Sequence, residues 1–306
     1  MSAAQAAAVS HAAREWRVRF VHPEKATELA RLSVGESDVA PLVADALGIA
    51  VAELEAQRAE AREQVRASAR LLLEDHEVRA ACAHLPFRPG QTIVALGDSL
   101  TDDALSWAHQ LNAVLEEVYP DDPPAVVNAG RSGDTTADVI DRLDLVLAQE
   151  PDWVIQLLGT NDVRHHGGRR VFSPGQTGTN FDTIQHILVT LGGTRLIRMT
   201  PPPVAAPAVE AATAAPGVRL RWQQEDLARV GRRLMRSDAT VIDLHAPLLP
   251  HARALLDPDG LHPHIVGHRA ILRVFLLSVA ALPWSGADDV NELPTAVVGH
   301  HEGAAS

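Results

Sequence analysis

The chain's 306 residues suit two domains, or one α/β core with an addition. With 27 Lys+Arg against 39 Asp+Glu, its net charge of −12 argues against nucleic acid or an anionic membrane as a partner. Cys82 is the only cysteine and Lys25 the only lysine, which excludes an intrachain disulfide, a cysteine-based metal cluster and a P-loop.

Residues 1–9 are alanine-rich with no basic stretch before them, so they do not read as a signal peptide. The apolar run 270–284 is broken by Arg273 and is too short to span a bilayer. Together these features predict a soluble, cytoplasmic protein. Residues 1 to about 85 read as helical throughout: a short helix after Pro23, one over 39–47 that stops at Gly48, and a long one over 51–75. In the long one, Val51, Leu54, Val65, Ala69 and Leu72 recur at roughly helical spacing. No strand pattern precedes Gln91.

From Gln91 the texture changes. Short Val/Ile/Leu-rich runs at 92–96, 125–127, 153–158, 195–199 and 240–244 alternate with helical patterns at 103–118, 135–147, 180–191, 219–236 and 265–281. This alternation predicts a parallel sheet with helices on both faces and a ligand site beyond the strands' carboxyl ends. Pro201, Pro202 and Pro203 open a Pro/Ala-rich loop that runs to Pro216, and residues 286–306 read as a loose tail. The expected division is a helical accessory segment (1–88), an α/β domain (89–285) and the tail.

Polar residues cluster where the strands end: Gly97-Asp98-Ser99 after the first, Asn128 to Gly133 after the second, Gly159-Thr160-Asn161-Asp162 after the third, and Asp259-Gly260-Leu261-His262-Pro263 after the fifth. A parallel sheet brings all four to one edge. A serine hydroxyl needs a base to become a nucleophile, and His262 is the candidate. Asp259, three residues earlier, is close enough to hold the imidazole N–H. An oxyanion then needs donors aimed at it in advance: the backbone N–H of Ser99, the backbone N–H of a glycine, and a side-chain amide such as that of Asn161.

These four blocks, in order and spacing, resemble those of the SGNH (GDSL) hydrolase family over about residues 91–282. The resemblance gives Ser99 the nucleophile's place, Asp259 and His262 the rest of a triad, and Gly133 and Asn161 the oxyanion positions beside Ser99. Gly133 rather than Gly130 is chosen because the family's glycine falls five residues after the Asn. The implied fold is a flavodoxin-like three-layer α/β/α sandwich with a five-stranded parallel sheet. The implied activity is hydrolysis of a small-molecule ester or thioester through an acyl-enzyme, with no metal or other cofactor. A second reading, a non-catalytic ligand-binding or regulatory protein whose helical segment binds a partner, is disfavoured because the catalytic set is complete. No Gly-x-Ser-x-Gly, His-Glu-x-x-His or Cys-x-x-Cys occurs, so a nucleophile elbow and the usual zinc motifs have no basis.

Three further features need a place. His262, His264 and His268 read as a helix start rather than a metal site, since no acidic or thiolate cluster completes them. Arg164, Arg169 and Arg170, around Gly167-Gly168, read either as a solvated mobile loop or as a rim recognising an anionic part of the substrate. Residues 1–85 hold ten Lys+Arg and thirteen Asp+Glu, which does not suit a DNA reader. They are expected to serve as a packing layer, a lid or a homo-oligomer contact.

Overall fold

A computed structural model describes residues 16, 18–33, 35–212, 220–284 and 297–298. The strands in chain order are β1 (Thr92–Gly97), β2 (Ala125–Gly130), β3 (Trp153–Leu157), β4 (His165–His166), β5 (Arg169–Arg170), β6 (Arg195–Met199), β7 (Leu220–Arg221), β8 (Thr240–Ile242) and β9 (Val297–Val298). The five predicted runs form a parallel sheet in the order β2-β1-β3-β6-β8. The two-residue β9 pairs parallel outside β8. Apart from Val297–Val298, the tail expectation lies outside the described residues.

Side-chain alternation explains why the strands are mostly apolar, with the buried Gln156 and Arg198 paired with each other at 3.0 Å. Ile93, Ala95, Trp153, Ile155, Ile197 and Met199 enter one core, while Val94, Leu96, Val154 and Leu196 enter the other. A strand whose two faces are both buried can carry a polar side chain only where a partner satisfies it. The helices in chain order are α1 (Glu36–Leu47), α2 (Val51–Glu74), α3 (His76–Cys82), α4 (Trp107–Val118), α5 (Thr136–Ile140), α6 (Leu143–Leu147), α7 (Pro174–Gln185), α8 (Gln224–Leu234) and α9 (Ile265–Ala280), beside several single turns. On the first face lie α2, α4 and α9; on the second lie α5 to α8. Among the described residues, no helix is long and apolar enough to cross a membrane.

Helix boundaries moved where caps or buried charges intervened. Ser106 caps the N–H of His109, so α4 begins at Trp107 rather than at residue 103. The single helix expected over 135–147 breaks at Arg142, whose buried guanidinium pairs with Asp134 at 2.7 Å. Ser173 as cap and Pro174 at the first position start α7 six residues early, and it continues as a π-helical turn over His186–Leu191. Within the expected Pro/Ala-rich loop, Ala206–Ala212 is helical, which corrects that expectation.

The N-terminal helices share the first core. Val65, Ala69 and Leu72 of α2, and Val78 and Cys82 of α3, join α4, α9 and the sheet in one apolar cluster. Ser68 also donates to Gln110 at 2.9 Å in the buried contact between α2 and α4. Nearer the chain start, Val18 joins Val39, Val43 and Leu54 in a small cluster of its own.

Candidate active site

At the carboxyl end of β1 the chain must turn tightly. A Cβ on Gly97 would lie 2.4 Å from the Leu157 carbonyl oxygen and 2.3 Å from Thr101 Oγ1, so only glycine fits there. Asp98 then caps the helical turn Ser99–Asp102, its carboxylate accepting the Leu100 N–H at 3.0 Å. Ser99 opens that turn, so its own N–H has no acceptor within the turn. The second Asp98 oxygen is buried without a partner, and burial pushes this carboxyl up to about 7.

The last block closes over the same edge. The Asp257 N–H donates to the His262 carbonyl at 2.7 Å and forms a compact loop. Within it, Asp259 accepts the backbone N–H groups of Leu261 (2.9 Å) and His262 (3.0 Å). Its other oxygen lies 2.6 Å from His262 Nδ1, and His262 Nε2 lies 2.9 Å from Ser99 Oγ. Since the carboxylate can only accept, Nδ1 carries the proton and the Nε2 lone pair faces the serine. Burial raises the Asp259 carboxyl, but the hydrogen bond and charge of His262 outweigh it, and the net shift is downward. Gly260 has a φ of +73°, and a Cβ there would sit 2.7 Å from the Ala205 carbonyl oxygen. The Ala206–Ala212 helix therefore packs against the loop only because residue 260 is glycine.

The second block meets the turn that Ser99 opens, and the third block meets the second. Ser132 donates to Asp102 Oδ2 through its backbone N–H (3.0 Å) and its hydroxyl (2.6 Å). Gly133 follows with a φ of +90° and open space where a Cβ would be. A larger residue there meets backbone strain rather than a clash with the protein. Asn161 is buried and donates one amide hydrogen to the Asp134 carbonyl at 3.0 Å, which leaves the second free to point elsewhere. Asp162 accepts the Thr136 N–H at 3.0 Å and ties the third block to the helix that follows the second.

The arginine region is a built hairpin, not the mobile loop weighed from the sequence. Strands β4 and β5 pair antiparallel around Gly167 and Gly168, whose φ values are +54° and +83°. Arg170 is ion-paired with Asp226 of α8, and His165 Nε2 meets the same carboxylate at 2.9 Å. A buried acid thus already engages the Arg170 guanidinium. Arg169 is exposed in the hairpin and Arg164 is half-buried before it. The histidines also separate: His264 caps α9, and buried His268 reaches Asp103 at 3.2 Å.

Sequence reasoning missed the N-terminal segment. The rings of Phe20 and Trp16 lie 4.8 and 5.8 Å, centroid to centroid, from the His262 imidazole. Between them in sequence, Arg19 reaches Asp103, Asp257 and the Pro263 carbonyl. A signal was available: Trp16 and Phe20 are the only aromatic residues before Phe87 and stand four apart.

The parallel α/β sandwich sets Ser99, His262 and Asp259 in one hydrogen-bonded row beyond its sheet, an arrangement that fits a carboxylic ester hydrolase. The sequence model of the GDSL-like lipase/acylhydrolase family matches residues 95–270, and the chain belongs to that family. It is 30% identical over 205 residues to the thioesterase 1/protease 1/lysophospholipase L1 of Escherichia coli strain K12, covering 59% of this chain and 84% of that protein. It is 37% identical over 89 residues to an acetylxylan esterase of Geobacillus stearothermophilus, covering 24% of this chain and 41% of that protein. That second match thus spans about two fifths of the relative's length. In structure, the chain superposes on a catalytic mutant of an acetylxylan esterase from Geobacillus stearothermophilus with a TM-score of 0.52 and 22% identity. That superposition covers 65% of this chain and 98% of the other, and it shows the shared fold.

Proposed function

We propose that the protein cleaves a carboxylic ester of a small molecule, sugar or lipid, with an acetyl or other short acyl group, through an acyl-enzyme on Ser99. The observation that carries this reading is His262 bridging Ser99 Oγ and Asp259. Ser99 Oγ bonds to the ester carbonyl carbon while its proton passes to His262 Nε2. Asp259 stabilises the imidazolium through Nδ1. The tetrahedral oxyanion receives hydrogen bonds from the Ser99 and Gly133 N–H groups and from Asn161 Nδ2. Collapse breaks the ester C–O bond, and the departing alkoxide takes the proton from Nε2. Water, deprotonated by the same nitrogen, then attacks the acyl carbon; the acyl–Oγ bond breaks, Ser99 Oγ takes the proton back from Nε2, and the acid is released. An acidic chain with a single cysteine suits action in the cytoplasm on such an ester, and the N-terminal helices suit a contact between copies.

The test is turnover of p-nitrophenyl acetate and longer acyl homologues. Ser99→Ala is expected to lower kcat by several orders of magnitude, because nucleophile and base act as a unit. Wild-type turnover is expected to survive EDTA. Full activity of Ser99→Ala, or abolition by the chelator, overturns the reading.

A further inference from the structure

We propose that the segment around Trp16 to Phe20, outside the stretch matched by the family, completes the active site as the wall of the leaving-group subsite. It would select alcohols that present a ring face, an aryl alcohol or a pyranose, over small alkanols. This inference rests on the ester-hydrolase reading above.

The direction of proton transfer locates the subsite. His262 Nε2 takes the Ser99 proton and must hand it to the departing oxygen, so the alcohol leaves along the imidazole side of the serine. The groups packed against that imidazole are the rings of Phe20 and Trp16. Trp16 is 41% exposed, and its ring packs on Phe20 at 4.9 Å. An indole that touches a catalytic base and still presents surface to solvent is a platform for a ring-shaped ligand.

The segment is also clamped to both halves of the catalytic machinery. Arg19 Nε donates to Asp103 at 3.0 Å, and Asp103 in turn donates its N–H to the Ser99 carbonyl. Arg19 Nη1 reaches Asp257 at 2.8 Å, two residues before Asp259, and Nη2 reaches the carbonyl of Pro263, next to His262, at 3.1 Å. The backbone joins in, since the Ala104 N–H donates to the Arg19 carbonyl at 3.0 Å. Lys25 is paired with Asp102 at 2.6 Å, and Arg131 binds the Lys25 carbonyl and Thr27. Arg19 is accordingly a positioning residue: its planar fork holds the aromatic pair, the nucleophile turn and the acid–base loop in one register.

The experiment compares three acetate esters on the full-length chain: phenyl acetate, a monoacetylated methyl xylopyranoside and ethyl acetate. All three give the same acetyl-serine, so a change in their relative kcat/KM arises in acylation and not in deacylation. In the Trp16→Leu/Phe20→Leu double variant, the kcat/KM ratios of phenyl acetate and of the xyloside to ethyl acetate are each expected to fall about tenfold. Leucine keeps the apolar packing while removing the ring faces, and a retained melting temperature checks the fold. Trp16→Tyr is expected to keep most of the selectivity. Equal losses on all three esters, or unchanged ratios, overturn the proposal, as does a ratio that falls only through unfolding of the double variant while Trp16→Leu alone, still folded, retains wild-type selectivity. Undiminished turnover by Ser99→Ala would instead strike the underlying hydrolase reading.

Discussion

Asp98 is buried beside the serine with one carboxylate oxygen unpaired. Its carboxyl is raised to about 7, chiefly by burial, while the His262 charge pulls the other way. Between the ordinary carboxylate range and pH 7 the folded protein therefore keeps a proton that the unfolded chain has released. Stability consequently falls as pH rises through that window. Asp98→Asn, which keeps the acceptor for the Leu100 N–H, is expected to flatten this dependence. Its melting temperature should exceed that of the wild type by several degrees at pH 8 and by much less at pH 5; parallel curves would contradict the assignment. Asn161 belongs to the same scale. With one amide hydrogen on the Asp134 carbonyl and the other free, Asn161→Ala is expected to lower kcat by roughly 10²–10³ with a smaller effect on KM. A change confined to KM would mean that the amide positions substrate instead.

At the scale of elements, local signals were strongest where the backbone period and the burial agree. Strand β6 lies at the expected residues, and β1, β2 and β3 at nearly the expected ones, because each carries a run dominated by Val, Ile, Leu and Ala, and in β3 the polar Gln156 is buried with the rest. The β4–β5 hairpin was not legible, since two-residue strands have no period to read. Its arginines looked available for substrate because the acid that engages Arg170 lies 56 residues away on α8. The kinetic consequence follows. Arg170→Gln strips a partner from the buried Asp226 carboxylate and is expected to lower the melting temperature. It should leave the ratio of kcat/KM for an anionic ester to that for its neutral analogue unchanged; a selective loss on the anionic ester would restore the recognition role.

For the whole molecule, the N-terminal layer and the α/β domain are a single body. The apolar faces of α4 and α9 are covered by α2 and α3, and Arg273 of α9 binds Asp75 at 2.9 Å and Glu77 at 2.7 Å. Removing everything before Gln91 uncovers that surface, so aggregation or a change of oligomeric state is expected by light scattering. The truncated chain also loses Trp16, Arg19 and Phe20, so its residual soluble fraction should be catalytically impaired. A monodisperse, fully active truncation would show the layer to be an independent module.

Much of the protein was determined by short-range relations that a sequence displays directly. Asp259 and His262 stand three apart, so their hydrogen bond is made within one loop. The glycines at 97 and 260 mark turns where a Cβ would collide, and the near-continuous apolar runs of the strands state that both faces of the sheet are covered. Ser99 and Asn161 follow the carboxyl ends of the neighbouring parallel strands β1 and β3, and the loop that carries His262 reaches Ser99 at 2.9 Å. What the tertiary structure alone decided has no local code. The contact of Arg19 with Asp257 joins residues 238 apart, and the choice of Asp226 as the partner of Arg170 depends on where α8 docks. An arginine's five donors can serve any carboxylate within reach, and only the packing of the layers sets which carboxylate that is.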